Sequence, residues 1–210
     1  MRKAGVTACA LTAGILLAGC AKPGASTFPP NQSAIYVSRE GALYTSLTES
    51  YDPSDTGYDA GELRAMAEEE AAEYNRTYGA AAGQGPVSVA ECKVEEGTAQ
   101  VVYQYTGPED LCRFTQDSQD EVNHPESLMV TTNSAYLQGD AGGGTWTDAR
   151  KNTTVSLEAV TKKRDLPMVV VTGGVTVQTE GRILYYSGAV QLEDEYTARV
   201  LEGTAQIVFR

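Results

Sequence analysis

The segment LPMVVVTGGVTVQTEGRILYYSGAVQLEDEYTARVLEGTAQIVFR, residues 166–210, decides the fold. Its apolar runs break at Gly173-Gly174, Glu180-Gly181, Ser187-Gly188, Asp194 and Glu202-Gly203. Between the breaks Val175 and Val177, Ile183 and Tyr185, Val190 and Leu192, and Ile207 and Phe209 recur at period two, and helical periodicity is absent. Each such pair shares one side of an extended strand. A turn signal roughly every six to nine residues predicts an antiparallel meander or a tight β-roll.

Upstream, two hairpins are predicted from the same logic. Ile35 and Val37, a turn at Glu40-Gly41, then Leu43 and Leu47 make the first. Residues 87–94 and 99–106 around Glu96-Gly97 make the second, with Val101, Tyr103 and Tyr105 on one face. Between them Asp59 reads as a helix N-cap with Glu62 three residues on. The helix should run to about Tyr78, with Leu63, Met66, Ala67, Ala71, Tyr74 and Tyr78 at helical spacing and Gly79 closing it. Glu68, Glu69, Glu70 and Glu73 fall mostly off that stripe and read as a solvated face. Gly107-Pro108-Glu109 starts a short helix carrying Cys112, Thr131 to Leu137 is another, and Thr154 to Val160 reads as a strand. The expected fold class is α+β: a mainly antiparallel sheet, one long N-terminal helix, short additional helices, and a C-terminal β-meander or β-roll. The expected organisation is residues 34–165 as an α+β domain and 166–210 as a β-rich part of the same domain or a small one of its own.

The N-terminus carries an address. Arg2 and Lys3 precede an uncharged stretch, Ala4 to Gly19, too short for a confident bilayer span. It ends in Leu17-Ala18-Gly19-Cys20, which resembles the bacterial lipobox. The resemblance implies a signal peptide over residues 1–19, cleavage before Cys20, and lipidation of Cys20 by diacylglycerol and a fatty acid such as palmitate. Two or more acyl chains give stable anchoring where one is marginal. Residues 20–33, with Pro23, Gly24, Ser26, Pro29, Pro30 and Ser33, read as a tether. The expected location is the extracytoplasmic face of the cell membrane.

Charge narrows the partners. The 210 residues carry 16 Lys+Arg against 28 Asp+Glu, and removing Arg2 and Lys3 leaves 14 cations against 28 anions, a net charge of −14. Nucleic acid is excluded as a partner on that balance. An anionic bilayer would repel the body, so the lipid anchor must hold it there. With one His in the chain, multi-His metal sites are excluded.

Four features are candidates for chemistry. Cys9 leaves with the signal and Cys20 is lipidated, so Cys92 and Cys112 remain. They are expected to pair as a structural disulfide, with free thiols or a redox couple as the alternatives. Asp52, Asp55 and Asp59 offer oxygen ligands for Ca²⁺ at spacings unlike an EF-hand, against a turn plus an N-cap. Trp146, beside Gly142-Gly143-Gly144, is a candidate contact for a sugar or peptide if exposed. His124 lies in a Pro-containing polar loop and reads as a surface residue. No Gly-x-Ser-x-Gly, Ser-x-x-Lys or His-Glu-x-x-His pattern is present, and no cofactor is expected.

Ala34-Ile-Tyr-Val-Ser-Arg-Glu-Gly41, Tyr74-Asn-Arg-Thr-Tyr-Gly79, Val101-Val-Tyr-Gln-Tyr105, Gly181-Arg-Ile-Leu-Tyr-Tyr-Ser187 and Ala205-Gln-Ile-Val-Phe209 resemble a group of uncharacterised lipoproteins of Gram-positive gut anaerobes. The resemblance implies anchoring and architecture but no catalytic residue. Two functions are therefore expected to compete. One is a non-catalytic binding module for an envelope protein, wall polymer or small ligand. The other is a carboxylate-dependent hydrolase of wall glycan or peptide.

Overall fold

The computed structural model describes residues 32–52, 59–79, 85–95, 97–137, 144–163 and 165–210. The elements in chain order are β1 (Ala34–Val37), β2 (Leu43–Ser50), α1 (Ala60–Tyr78), β3 (Val87–Glu95), β4 (Thr98–Tyr105) and α2 (Pro108–Asp117). They continue with β5 (Ser127–Thr132), α3 (Asn133–Leu137), β6 (Trp146–Asp148), β7 (Thr153–Val155) and α4 (Leu157–Thr161). The chain ends with β8 (Pro167–Thr172), β9 (Thr176–Thr179), β10 (Ile183–Leu192) and β11 (Thr197–Phe209).

The expected fold class is overturned. Of the described residues 46% are strand against 24% helix, so the sheet organises the molecule and the helices are subordinate to it. It is a single 11-stranded mixed sheet in the order β3-β4-β2-β1-β9-β11-β10-β6-β7, with β8 between β11 and β5. β1 pairs antiparallel with β2 but parallel with β9, through Ile35 opposite Val177 and Val37 opposite Thr179. The last 45 residues are therefore no meander, because β9 pairs with β1 and β11 and not with its chain neighbours β8 and β10.

The cause is Gly173-Gly174. β8 and β9 run in tandem along the same edge of β11, Thr172 opposing Thr204 and Thr176 opposing Arg199. Three residues on one side face four on the other, which is a bulge in a continuing strand and not a hairpin turn. Gly173 sits at φ +114 and its N–H donates to Gly203 O at 3.1 Å. Past this kink the outer edges diverge, β8 to β5 and β9 to β1. β11 is thus the strand at which the sheet forks.

Period-two alternation distributes the core over both faces of β8 and β11. Val169, Val171, Ala205, Ile207 and Phe209 join Ile35, Val37, Tyr103, Tyr105, Leu111 and Phe114 in the main cluster. Met168 and Val208 point the other way, against Leu137, Trp146 and Val160. α1 packs Ala67, Ala71 and Tyr74 on the sheet. Asp59 Oδ1 caps it, accepting from Gly61 N at 2.8 Å and Glu62 N at 2.9 Å. Gly79 ends it at φ −72, so close approach and not left-handed backbone requires glycine; a Cβ there would lie 2.3 Å from Asn75 O. The segment expected as a strand over 154–160 is divided: β7 ends at Val155 and Ser156 caps α4, its hydroxyl accepting from Ala159 N. Asn133, fully buried, fastens this part by donating to Val160 O and Lys163 O and accepting from Leu166 N.

Candidate functional site

An open groove of about 670 Å³ lies between α1 and the β2–β4 side of the sheet. Leu47, Ala99, Val101 and Tyr103 form its floor, since Leu47 opposes Val101 and Glu49 opposes Ala99 in the β2–β4 ladder. One wall is α1, through Leu63, Met66 and Ala67; the other includes Val122 from the loop after α2. Met66 is 69% exposed and Val122 49% exposed, so large apolar side chains on both walls meet solvent. The loop holding Val122 is built by Asp120, whose Oδ1 accepts from Val122 N and Asn123 N at 3.0 and 2.9 Å. Asn123 Nδ2 in turn donates to Ser46 O at 3.0 Å, stapling the loop to β2.

Glu49, Glu69, Glu70 and Glu73 line the groove. Three of the four therefore come from the helix face read as merely solvated. Glu70 lies at i+7 from Leu63, on the sheet-facing side of the helix, and its Oε2 accepts the Tyr103 hydroxyl at 2.6 Å. Two smaller hollows continue the groove through shared residues. One adds Phe114, Gln119, Asp120 and Glu121; the other adds Tyr74, Thr77, Tyr78 and Asp117. Phe114 anchors this end, with ring centroids 4.8 Å from Tyr103, 5.5 Å from Tyr74 and 5.8 Å from Tyr105.

The phenols here are held neutral. Burial, then the Glu70 hydrogen bond and charge, pushes Tyr103 well above the usual phenol range. Burial does the same to Tyr105, and burial followed by the Asp110 charge raises Tyr74 to about 12. Tyr103 and Tyr74 accordingly act as hydroxyl donors to carboxylates rather than as nucleophiles.

The expected disulfide is not formed. Cys92 and Cys112 are free thiols, each half-buried. The two face different elements: Cys92 Sγ lies 3.9 Å from Ala60 O at the start of α1, while Cys112 meets the backbone of Leu128 on β5. Burial pushes both thiols up, against thiolate formation. Cys112 shares a separate hollow with exposed His124, whose Nδ1 lies 3.3 Å from Thr115 Oγ1.

Trp146 is not an exposed contact residue. It is 1% exposed on β6, packed between Leu137, Val160, Met168 and Val208. Of the Ca²⁺ candidates, Asp59 is the α1 cap and Asp55 lies outside the described residues, as does Cys20. Among the described residues no group of three or more His, Cys, Asp or Glu is placed to hold a metal, Asp52 included. Among them also no helix is long and apolar enough to cross a membrane. No family model, no curated protein and no solved structure matches the chain.

The groove was legible only in pieces. Val122 is an isolated apolar residue in a polar stretch, and Met66 lies at the margin of the helical stripe. Neither signals a wall until α1 is laid on β3, which leaves the neighbouring β4 as the floor.

Proposed function

We propose that this protein is a lipid-anchored extracytoplasmic binding module, held to the membrane through Cys20, whose groove under α1 receives its ligand. The observation that carries the reading is the pair of exposed apolar walls, Met66 and Val122, above a buried apolar floor. Solvent-exposed Met beside a preformed apolar floor is the surface expected of a site that adapts to a guest. The N-terminal sequence supports the address. The hydrolase reading needs two carboxyl groups poised over one bond, and no observation favours it over binding: Glu70 is engaged by Tyr103.

A photoreactive residue at position 66, displayed on intact cells, tests the reading. Adducts should form at 66 and not from the same group at exposed Glu158 on α4. Equal adducts from both sites, or none from 66, would overturn it. Mass spectrometry of the native protein should find acyl chains on Cys20, and an unmodified sulfur would remove the anchor.

A further inference from the structure

We infer that the guest of this groove is a cationic amphipathic peptide segment, apolar side chains on the floor and Lys or Arg at the rim; this rests on the binding reading above. Charge is the first argument. Along the groove and its two extensions stand Glu69, Glu70, Glu73, Asp117 and Glu121, and among the described residues no Lys or Arg lines any of the three; Arg113 lies at the far end, over the Tyr78 ring at 4.7 Å from its centroid. The ion pairs recorded on α1 and β3 use other carboxylates, Glu68 with Arg64 and Glu91 with Lys93. Glu69 and Glu73 are exposed and have no cationic partner among the described residues. An apolar floor framed by one sign of charge attracts the opposite sign and rejects its own.

That rule disposes of the other occupants. A second copy docking through the same face would bring these carboxylates together across a two-fold axis. An anionic bilayer would be repelled for the same reason. The chain's own tether offers one cation, Lys22, between Cys20 and Ser33. A partner rich in cations is what remains.

Length makes it a peptide. The α1 residues along the groove and its extension run from Leu63 to Tyr78, about 22 Å at 1.5 Å per residue. That is some six or seven residues of extended chain, or about four turns of a helix laid in the groove. Carboxylates staggered over such a length match a repeated cation, not a single amine.

The full chain in zwitterionic nanodiscs, with empty nanodiscs as reference, is titrated with a labelled peptide of Leu and Lys and with its Leu and Glu counterpart. Fluorescence anisotropy should show binding of the Lys peptide alone, weakening as salt rises. Glu69→Lys with Glu73→Lys should weaken it about tenfold or more, while Glu158→Lys leaves it unchanged. All three sites are exposed, and unchanged Trp146 emission reports that the fold persists. Equal affinity for the two peptides, or indifference to the double reversal, overturns the inference. If neither peptide binds while position 66 still captures a neutral or anionic species on cells, the inference falls and the binding reading stands. If nothing is captured either, both fall. A dimer that Met66→Glu dissociates would assign the groove to a second copy and overturn it as well.

Discussion

Tyr103 of β4 donates its hydroxyl to Glu70 of α1 at 2.6 Å, joining helix to sheet across the groove floor. The acceptor is exposed and the donor is buried, so the bond is charge-assisted yet partly screened. Tyr103→Phe keeps the ring against Phe114 and removes only the donor. It should cost about 1 kcal/mol in urea unfolding. Glu70→Gln in the same background should then add little, since coupled residues are not additive. Full additivity of the two changes would show that the bond contributes nothing.

Both remaining thiols should react without prior reduction. Native protein treated with an alkylating agent gains one adduct each at Cys92 and Cys112, because neither is bonded to the other. The rate at pH 8 should fall below that of an unperturbed thiol, because burial raises both above the ordinary value and so depletes the thiolate. Reaction that appears only after a reductant is added would restore the disulfide.

Trp146, the sole Trp, reports on the smaller core. Its emission should be blue-shifted and resist acrylamide in the native state, then shift red in a single transition on unfolding. Trp146→Ala should destabilise by about 3–5 kcal/mol, the cost of emptying a large buried site. The Nε1 proton has no partner among the described residues, so Trp146→Phe should cost much less. A red native emission would place the ring at the surface after all.

What could be read in advance was local. The Asp59 cap, the turn at Glu40-Gly41 and the common face of Val101, Tyr103 and Tyr105 each depend on residues a few positions apart, and each is present. The failures are non-local. Gly173-Gly174 is equally compatible with a hairpin and with a kinked continuing strand; pairing of both halves with β11 selects the kink, and that choice frees β9 to meet β1 in parallel. Trp146 follows three glycines, a sign of exposure, but α3, α4, β8 and β11 close over it from four separate places in the chain. The thiols obey the same limit, since spacing says nothing about the elements they face. The Tyr103 tie was hidden because Glu70 looks like one more acid in an acidic run.

Alkaline pH should unfold the protein through its buried phenols. Tyr36 is raised from 10.0 to about 12, first by burial and then by the Glu180 charge; Tyr74 is raised to about 12, first by burial and then by the Asp110 charge. In both, the folded state holds the neutral phenol while the unfolded chain starts to release its proton near pH 10. The stability from each phenol is therefore complete below pH 10 and is lost as pH climbs to about 12. The urea midpoint should be insensitive to these groups at pH 8–9 and decline beyond pH 10, in step with delayed phenolate absorbance of the native protein. Buried Tyr103 and Tyr105, raised further still, add to the decline in the same direction; Tyr74→Phe abolishes one of these four titrations and should make the decline shallower, whatever it does to the midpoint at pH 8. An equal slope in that variant would mean that other groups, and not the phenol beside Asp110, drive alkaline unfolding.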